Sequence, residues 1–423
     1  IFTASEVATP ENRVLKGKKM KNLIVIENGA VAVDNGKIVD FGKESYIRSK
    51  YSGEIIEFEE KTILPGFVDP HTHLIFSGTR ENELIMKLEG KSYLEILKEG
   101  GGIQYTVKKT REASRSKLKK EAKKRLDIML RNGTTMIEAK SGYGLNRKDE
   151  IKSLEVLNEI KHDIDIIPTF LVHAVPEEST EKDYIDLCVE MLDEIKEKNL
   201  AEFVDIFCEK GVFSVEESKR FFEAAVKKGF KLRIHADEIE NTGGAELAAE
   251  LGAKSADHLL KASDRGLKLM AEKNVVATLL PGTPFSLFTE FPDARKMIEM
   301  GLPLALATDL NPNCYTESLQ FIFALAIFKM KMLPEECISS MKNAAYSLDR
   351  NAGCIDRGVN ADLVIMEIPN YRHIGYHFGV NLVSTVIKNG RIVSVSYTHL
   401  RAQETSLHLV CRLLLEKINR SFN

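Results

Sequence analysis

Short apolar runs rich in β-branched residues alternate with longer charged stretches through the middle of the chain. The length and composition of the runs are typical of buried strands. The stretches between them, such as residues 116–133 and 214–229, space their apolar positions as amphipathic helices do and end in glycine. This alternation predicts repeated strand–helix units around a parallel sheet.

Eight of these runs have the character of barrel strands, which is the number that a (β/α)₈ TIM barrel requires. They lie at residues 66–74, 134–144, 164–175, 203–211, 231–238, 254–260, 274–282 and 302–313. No repeat of fixed length emerges, so a solenoid is not expected. The middle of the chain therefore predicts an α/β protein built on a (β/α)₈ TIM barrel.

The two ends of the chain carry a different pattern, in which short apolar runs are joined by turn residues. Asn-Gly pairs at 28–29 and 35–36 interrupt the first region, and another at 389–390 interrupts the last. Asn-Gly between apolar runs is a strong hairpin signal. We expect the two ends to pair into one small composite β-sandwich domain beside the barrel.

The patterns together predict four segments. These are residues 1–63 and 359–395 for the two parts of the small β domain, 64–358 for the catalytic barrel, and 396–423 for a C-terminal tail. The tail follows a strand that should end the domain, and its apolar spacing is that of an isolated amphipathic helix. We interpret the tail as a non-native extension and assign no function to its His399, His408 and Cys411.

Length and composition narrow the class of protein. The chain has 423 residues, more than a single core usually holds, with 43% hydrophobic and 29% charged residues and a net charge of −3. That balance gives no electrostatic reason to expect a nucleic-acid or anionic-membrane partner. No apolar run approaches the roughly 20 residues of a membrane span, and the six cysteines lack CxxC spacing. We expect a cytoplasmic protein whose partner is a small molecule.

Histidines gather where the predicted barrel strands end. His71 and His73 are two residues apart in an extended run, so both imidazoles should project from the same face. The other candidates end later strands: His173, His235, His258 and Asp309. Because the carboxyl ends of TIM-barrel strands build the active site, these side chains should meet there. This placement favours a metal site over scattered core histidines.

His71, His73, His235 and Asp309 would supply three neutral nitrogens and one carboxylate. Such a set suits one Zn²⁺ per subunit, and Fe²⁺ is an alternative because imidazole and carboxylate do not discriminate strongly between them. A metal with a free position activates water near neutral pH. Either His258 or Asp309 could then take the proton, and Glu238 could shuttle protons or anchor substrate.

Three further features have two interpretations each. Arg80 follows the first strand and could capture a substrate carboxylate or form a surface salt bridge. The glycines at 100–102 do not follow a strand as a phosphate loop would, and we interpret them as a lid or substrate loop. Cys208 ends the fourth strand, where buried packing is a better explanation than nucleophilic catalysis.

Six motifs carry a family resemblance. They are PGFVDPHTHLIFSGTRE, KSGYGL, LVHAVP, HADEIENTGG, DHL and ATDLNPN. PGFVDPHTH alone is typical of any metal-dependent amidohydrolase. The contexts of Arg80, Tyr143 and His173, with GKSYLEILKEGGGI and YHFGVN, narrow the resemblance to the imidazolonepropionase family of that superfamily. The motifs occur in one order, and the resemblance covers residues 10–394.

The resemblance implies an activity and a role for each matching residue. The activity is hydrolysis of 4-imidazolone-5-propanoate to N-formimino-L-glutamate in histidine degradation, by a homodimer. His71, His73, His235 and Asp309 match the metal ligands, and Glu238 and His258 match polar groups beside the attacking water. The positions that match substrate contacts are Arg80, Tyr143, His173 and Asn311, of which Arg80 and Tyr143 would hold the propionate.

One short segment departs from the family pattern. After Asn311 and Pro312 the family often has Gly and then Ser or Thr, whereas this chain has Asn313 and Cys314. We include Asn313 and Cys314 among the substrate-binding candidates. We also expect the side chain of Asn313 to crowd the loop.

Two other functions are weighed against this one. A related deaminase or cyclic amide hydrolase would keep the metal ligands without an obvious need for Arg80 and Tyr143. A binuclear hydrolase is disfavoured, because Lys210 is only a weak candidate for a bridging lysine. A non-catalytic scaffold protein on the same fold should have lost at least one ligand, and this chain has all four.

Overall fold

A computed structural model describes residues 1–91 and 93–396, and its strands form two sheets. The strands are β1 (Phe2–Pro10), β2 (Leu23–Asp34), β3 (Lys37–Lys43), β4 (Ile56–Pro65), β5 (Phe67–Asp69), β6 (Thr134–Lys140), β7 (Asp165–Val172), β8 (Phe203–Cys208), β9 (Lys231–Ala236), β10 (Ser255–His258), β11 (Val276–Leu279), β12 (Leu304–Leu306), β13 (Leu363–Met366), β14 (Val383–Lys388) and β15 (Arg391–Val395).

Fourteen α-helices connect and cover these strands in the described part of the chain. They are α1 (Glu44–Lys50), α2 (Glu81–Leu88), α3 (Tyr93–Lys98), α4 (Gly102–Glu112), α5 (Arg115–Arg131), α6 (Arg147–Glu159), α7 (Glu181–Glu197), α8 (Val215–Lys227), α9 (Gly244–Leu251), α10 (Asp264–Lys273), α11 (Gly282–Leu287), α12 (Ala294–Glu299), α13 (Leu319–Met330) and α14 (Pro334–Ser347). Two 3₁₀ helices lie at Gly17–Lys21 and Tyr371–His373. None of the helices among the described residues has both the length and the apolar character that a membrane span requires.

The predicted TIM barrel is confirmed. Strands β5 to β12 pair in parallel and in chain order, and each lies inside one of the eight predicted runs. Helices follow the strands and bury their apolar faces against them, as in βα repeats. Backbone hydrogen bonds from His73 to Leu310 and from Asp309 to His71 bring the first and last strands together. The carboxyl ends of all eight strands therefore point to one mouth.

Strand β5 ends earlier than the sequence pattern suggests. It stops at Asp69, because Pro70 has no N–H to donate to a ladder. The chain nevertheless stays extended, and Thr72 forms a parallel bridge with Leu310. His71 and His73 thus leave the barrel on an extended segment that is fixed by the last strand.

The second sheet is built from both ends of the chain, as predicted. Its strand order is β15-β14-β13-β4-β1-β2-β3, and all pairs are antiparallel except β1 with β4. Two of the predicted Asn-Gly turns join its hairpins. Asn35 and Gly36 have φ values of 47° and 77°, and Asn389 and Gly390 have 47° and 73°, as a type I′ turn requires.

The turn predicted at Asn28-Gly29 was wrong. Both residues lie inside β2, and the register of β2 with β1 is the same before and after them. Asn28 takes a φ of 49° within the strand. A Cβ at Gly29 would lie 2.5 Å from Cγ2 of Val7, so the glycine serves close packing between strands rather than a turn.

The residues that make up the second sheet extend slightly past the expected limits. β4 runs to Pro65, two residues beyond 63, and Cys354 and Ile355 pack in the sheet's apolar core although they precede residue 359. The predicted tail at 396–423 lies outside the described residues from 397 onward.

Candidate active site at the mouth of the barrel

Five histidines meet at the carboxyl ends of the barrel strands. His71 and His73 follow β5, His173 follows β7, His235 lies in β9 and His258 ends β10. Ring centroids are 4.5 Å apart for His71 and His235, 5.3 Å for His235 and His258, and 5.0 Å for His73 and His173. The strand-end placement inferred from sequence thus brings the imidazoles into one cluster.

The cluster contains two overlapping triads of metal-ligand geometry. One is His71, His235 and His258, and the other is His71, His73 and Asp309, with ligand atoms within 4.8 Å of one another in each. Oδ1 of Asp309 lies 3.5 Å from Nε2 of His71 and 3.4 Å from Nε2 of His73. A cation between these atoms would contact the segments that follow the first and the last strand of the barrel.

Several of these atoms are buried without a hydrogen-bond partner among the described residues. They include Nε2 of His71, Nε2 of His235 and Oδ1 of Asp309, together with one ring nitrogen each of His73 and His258. Buried polar atoms are almost always partnered, so a cluster of buried atoms with available lone pairs is suited to hold a cation. The donor set, nitrogen with one carboxylate oxygen, fits a divalent transition metal.

The opposite ring nitrogens of two histidines are held by carboxylates. Nδ1 of His71 lies 2.7 Å from Oδ2 of Asp257, and Nδ1 of His235 lies 3.1 Å from Oδ1 of Asp205. A carboxylate accepts a hydrogen bond from Nδ1–H, so the proton stays on Nδ1 and the lone pair of Nε2 is left for a metal. These bonds fix both the tautomer and the direction of the two rings.

Protonation states also suit a cation site. Burial lowers the pKa of His71 well below its usual value, and burial lowers that of His235 to about 4 although Asp205 acts in the opposite direction. Burial alone would raise the pKa of Asp309, but the nearby imidazoles of His73 and His258 and a hydrogen bond from Thr283 hold it below its usual range. At neutral pH His71 and His235 are therefore neutral and Asp309 is anionic.

Backbone strain is concentrated at the same mouth. His258 has a φ of 76°, Asp309 of 51° and Asp237 of 51°, although none is glycine. Such conformations cost roughly 1–3 kcal/mol each and persist where the surroundings hold them. Asp237 is held by accepting backbone hydrogen bonds from Thr242 and Ala245. The strand ends beside the cluster are therefore held in conformations that cost free energy.

Glu238 lies beside His258. Oε1 of Glu238 is 3.7 Å from Nδ1 of His258, and burial raises the pKa of Glu238 while His258 opposes that shift. The turn that carries Glu238 is fixed by Glu209, whose carboxylate accepts hydrogen bonds from the backbone N–H groups of Glu238 and Ile239 at 2.9 Å each. A carboxyl and an imidazole are thus placed side by side at the edge of the cluster.

Arg80 forms an ion pair and also lines a pocket. Its Nε and Nη2 lie 2.7 and 2.6 Å from the two carboxylate oxygens of Glu83, which also accepts a hydrogen bond from Gly102. The side chain of Arg80 is 11% exposed, so this is not a surface salt bridge. Arg80 faces a pocket of about 520 Å³ that Lys87 and Cys314 also line.

The loop after β12 is fixed by its own side chains. Oδ1 of Asn311 accepts hydrogen bonds from the backbone of Asn313 and Cys314, and its Nδ2 donates to the carbonyl of Asp309. Asn313 turns its Oδ1 toward Nζ of Lys87 at 2.6 Å. Cys314 is buried, and burial raises the pKa of its thiol. Asn313 therefore forms part of the pocket wall with Lys87.

Tyr143 and His173 pack on the other side of His73. The ring of Tyr143 lies 5.8 Å from that of His73 and 5.2 Å from that of His173. Nδ1 of His173 donates to the carbonyl of Gly142 at 3.2 Å. Gly142 has a φ of 109°, and a Cβ there would lie 3.0 Å from Cβ of His173, so glycine allows this approach.

The sequence interpretation overlooked a layer of buried charges behind the ligand-like histidines. Three carboxylates, which we call the carboxylate layer, are Glu138, Asp205 and Asp257, and the cations Lys140 and Arg233 lie among them. All five side chains are fully buried. The available signal was a charged residue at an inward position of a strand expected to be buried, as in TTMIEAK.

Comparison with known proteins gives a consistent relationship across most of the chain. Residues 62–393 match the model of the amidohydrolase family. The imidazolonepropionase of Alkaliphilus oremlandii (strain OhILAs) is 52% identical over 392 residues, which cover 89% of this chain and 93% of that protein. The imidazolonepropionase of Bacillus mycoides (strain KBAB4) is 50% identical, with 90% and 93% covered.

Solved structures with the same fold are more distant in sequence. An adenosine deaminase from Xanthomonas campestris with bound zinc superposes with a TM-score of 0.69 at 17% identity, covering 99% of this chain and 98% of that one. Guanine deaminase from E. coli gives 0.68 at 15% identity, with 93% and 98% covered. At this identity the likeness concerns the fold alone.

Proposed function

This chain belongs to the amidohydrolase family and, within it, to the imidazolonepropionases, and we propose how its residues divide the work of hydrolysing 4-imidazolone-5-propanoate. The reaction is a step of histidine degradation. Water adds to the ring carbonyl carbon, the C–N bond of the cyclic amide breaks, and the ring nitrogen takes a proton to give N-formimino-L-glutamate. The observation that carries the assignment is about 50% identity to imidazolonepropionases across nine-tenths of the chain.

We infer that His71, His73, His235 and Asp309 hold one divalent ion, zinc or iron. The support is that each residue has a buried atom without a partner among the described residues: Nε2 of His71 and His235, Nδ1 of His73 and Oδ1 of Asp309. Imidazole with carboxylate does not choose strongly between the two metals. An ion held there supplies Lewis-acid chemistry, which makes water nucleophilic near neutral pH and polarises a carbonyl.

His258 is better placed than Asp309 to accept the proton of the attacking water. Oδ1 of Asp309 faces His71 and His73 as a proposed metal ligand, and its Oδ2 accepts a hydrogen bond from the hydroxyl of Thr283, so with the ion bound neither oxygen is free to take a proton. His258 instead faces the carboxyl of Glu238. We assign general-base work to His258 and delivery of the proton to the leaving nitrogen to Glu238.

The substrate's charged tail needs a cation near the ring-binding cluster. Arg80 lines the pocket beside the mouth. Burial raises the pKa of Tyr143, and the guanidinium of Arg80 opposes that shift. We propose that Arg80 and Tyr143 hold the propionate. His173 stacks at 5.0 Å on His73 and would contact the imidazolone ring. Asn311, Asn313 and Cys314 would shape the pocket through the loop after β12.

We also propose that two copies of the chain associate and that they work in the cytoplasm. An apolar patch of exposed residues lies on α13 and the segment before β14: Phe328, Tyr376, Phe378 and Val380. Large exposed apolar patches usually mark interaction surfaces. The five described cysteines, all buried and free, suit a reducing compartment.

The proposal is tested by turnover and metal content measured on the same sample. Purified protein should consume freshly generated 4-imidazolone-5-propanoate, which is monitored by the loss of the substrate's ultraviolet absorbance. The same protein should contain about one zinc or iron ion per chain. His71→Ala should lose both metal and turnover because it removes the ligand shared by both triads. His162→Ala, a histidine paired with Asp127 away from the mouth, is the matched control. Metal with no turnover would contradict the substrate assignment, and wild-type rates in His71→Ala would contradict the metal site.

A further inference from the structure

Lys140 ends β6 with its ammonium enclosed by carboxylates. Nζ lies 2.7 Å from Oε1 of Glu138, 2.6 Å from Oδ2 of Asp205 and 4.0 Å from Oδ2 of Asp257. The side chain is 0% exposed. Burying an ammonium is costly unless several anions surround it, so the position has a specific use in the fold.

Two of these carboxylates connect the ammonium to ligand histidines. Oδ2 of Asp205 accepts a hydrogen bond from Nζ of Lys140. Its Oδ1 lies 3.1 Å from Nδ1 and 3.2 Å from the backbone nitrogen of His235. Oδ2 of Asp257 accepts a hydrogen bond from Nδ1 of His71 at 2.7 Å and lies 4.0 Å from Nζ of Lys140. One ammonium thus stands behind the orientation of both rings.

The third carboxylate connects Lys140 to the backbone between His71 and His73. Oε2 of Glu138 accepts a hydrogen bond from the N–H of Thr72 at 3.3 Å. The N–H of Lys140 itself donates to the carbonyl of Thr72 at 2.9 Å. The segment that carries both histidines is therefore held by the same side chain and its own backbone.

We propose that Lys140 is a positioning residue for the metal centre: it fixes the carboxylate layer so that His71 and His235 present Nε2 to the ion. The inference rests on the proposed metal site and adds a residue to it. A purely structural ion pair would stabilise the barrel without affecting the metal. Arg233 has a neighbouring task, because its Nη2 lies 2.7 Å from the carbonyl of Pro70 and 3.3 Å from Asp257.

Two variants remove the ammonium, and one control matches them. Lys140→Met deletes the charge, and Lys140→Met with Glu138→Gln deletes it while keeping the net charge of the cluster. The control is Lys388→Met with Asp362→Asn. Lys388 is also buried, with Nζ at 2.6 Å from Asp362 and 2.7 Å from Asp165, but it lies on β14 of the other sheet. Lys140→Arg keeps the charge and tests rescue.

Three quantities are measured for each variant: the zinc affinity by chelator competition, the visible spectrum of the Co²⁺-loaded protein and the melting temperature. The Lys140 variants should lose about 10- to 100-fold in zinc affinity and change the Co²⁺ spectrum, with partial recovery in Lys140→Arg. The Lys388 control should melt earlier with unchanged affinity and spectrum.

A folded double variant at Lys140 with wild-type affinity and spectrum would overturn the proposal. If Lys140→Met alone does not fold, the double variant decides. Wild-type protein that binds neither zinc nor Co²⁺ would instead refute the metal centre, which separates the two failures.

Discussion

At the scale of single residues, the active-site side chains are defined by their neighbours more than by their type. His162 and His235 are both histidines, but one pairs with Asp127 near the surface and the other lies fully buried against Asp205. The sequence located His235 correctly at a strand end because barrel strands end at the mouth. It could not reveal Asp205, because a single Asp within FVDIFC carries no sign of the histidine that folding brings to it.

Replacing Arg80 should weaken substrate binding rather than the metal site. Arg80→Ala alone would leave the carboxylate of Glu83 without its ion-pair partner, so the informative variant is Arg80→Ala with Glu83→Gln. Loss of charge-assisted bonds to the propionate costs about 1.5–3 kcal/mol, which raises KM roughly 10- to 150-fold. Steady-state kinetics and metal analysis check this. Glu83→Gln alone is the control, and an unaltered KM in the double variant would remove Arg80 from the substrate pocket.

The buried histidine His235 should make the metal-free protein sensitive to acid. Its pKa falls from 6.5 unfolded to about 4 folded, so between these values the unfolded chain binds the extra proton. The contribution of His235 to the free energy of unfolding is fully present above about pH 6.5. It falls by about 3 kcal/mol as the pH is lowered toward 4. Asp69, whose pKa burial raises to about 7, acts with the opposite sign.

The difference between wild type and His235→Asn isolates the contribution of His235. Urea unfolding of chelator-treated protein at pH 7, 5.5 and 4.5 should show a steeper loss in wild type than in the variant. Equal pH dependence in the two proteins would mean that the buried ring does not resist protonation.

At the scale of elements, periodicity located all eight barrel strands and two of the three Asn-Gly turns. It failed at Asn28, because a residue with positive φ can also lie inside a long strand. It also missed the carboxylate layer, because alternation says that a strand residue points inward but not what it meets there. Elements are therefore predictable from local sequence, and the contacts between them are not.

Asn343 on α14 connects three elements and should contribute strongly to stability. Its Nδ2 donates to the carbonyls of Leu15 and Leu304 at 2.7 and 2.9 Å, and its Oδ1 accepts from the N–H of Leu15. Asn343→Leu would leave these buried backbone groups unpaired, at a cost of about 3 kcal/mol in the free energy of unfolding. Urea unfolding measures the loss. Asn158 is an exposed asparagine with two such bonds, so Asn158→Leu should lose less, and the reverse order would contradict this account.

At the scale of the whole molecule, the exposed aromatic patch predicts self-association. Phe328 and Phe378 are 57% and 62% exposed, and their rings pack 5.2 Å apart in an edge arrangement. Replacing both with serine should convert a dimer to a monomer at micromolar concentration, as measured by light scattering. Val226→Ser, which removes a half-exposed apolar residue from α8, should leave the dimer intact. A wild-type monomer would contradict the predicted dimer.

The proposed metal ligands include residues that follow both the first and the last strand of the barrel. His71 and His73 follow β5, while Asp309 follows β12 and joins them through a backbone hydrogen bond to His71. An ion held there would link the first and last strands of the barrel. During synthesis this link cannot form until residue 309 has left the ribosome, so a nascent chain carries its histidines without a complete binding site. Metal loading should therefore come late, after the barrel has closed on itself.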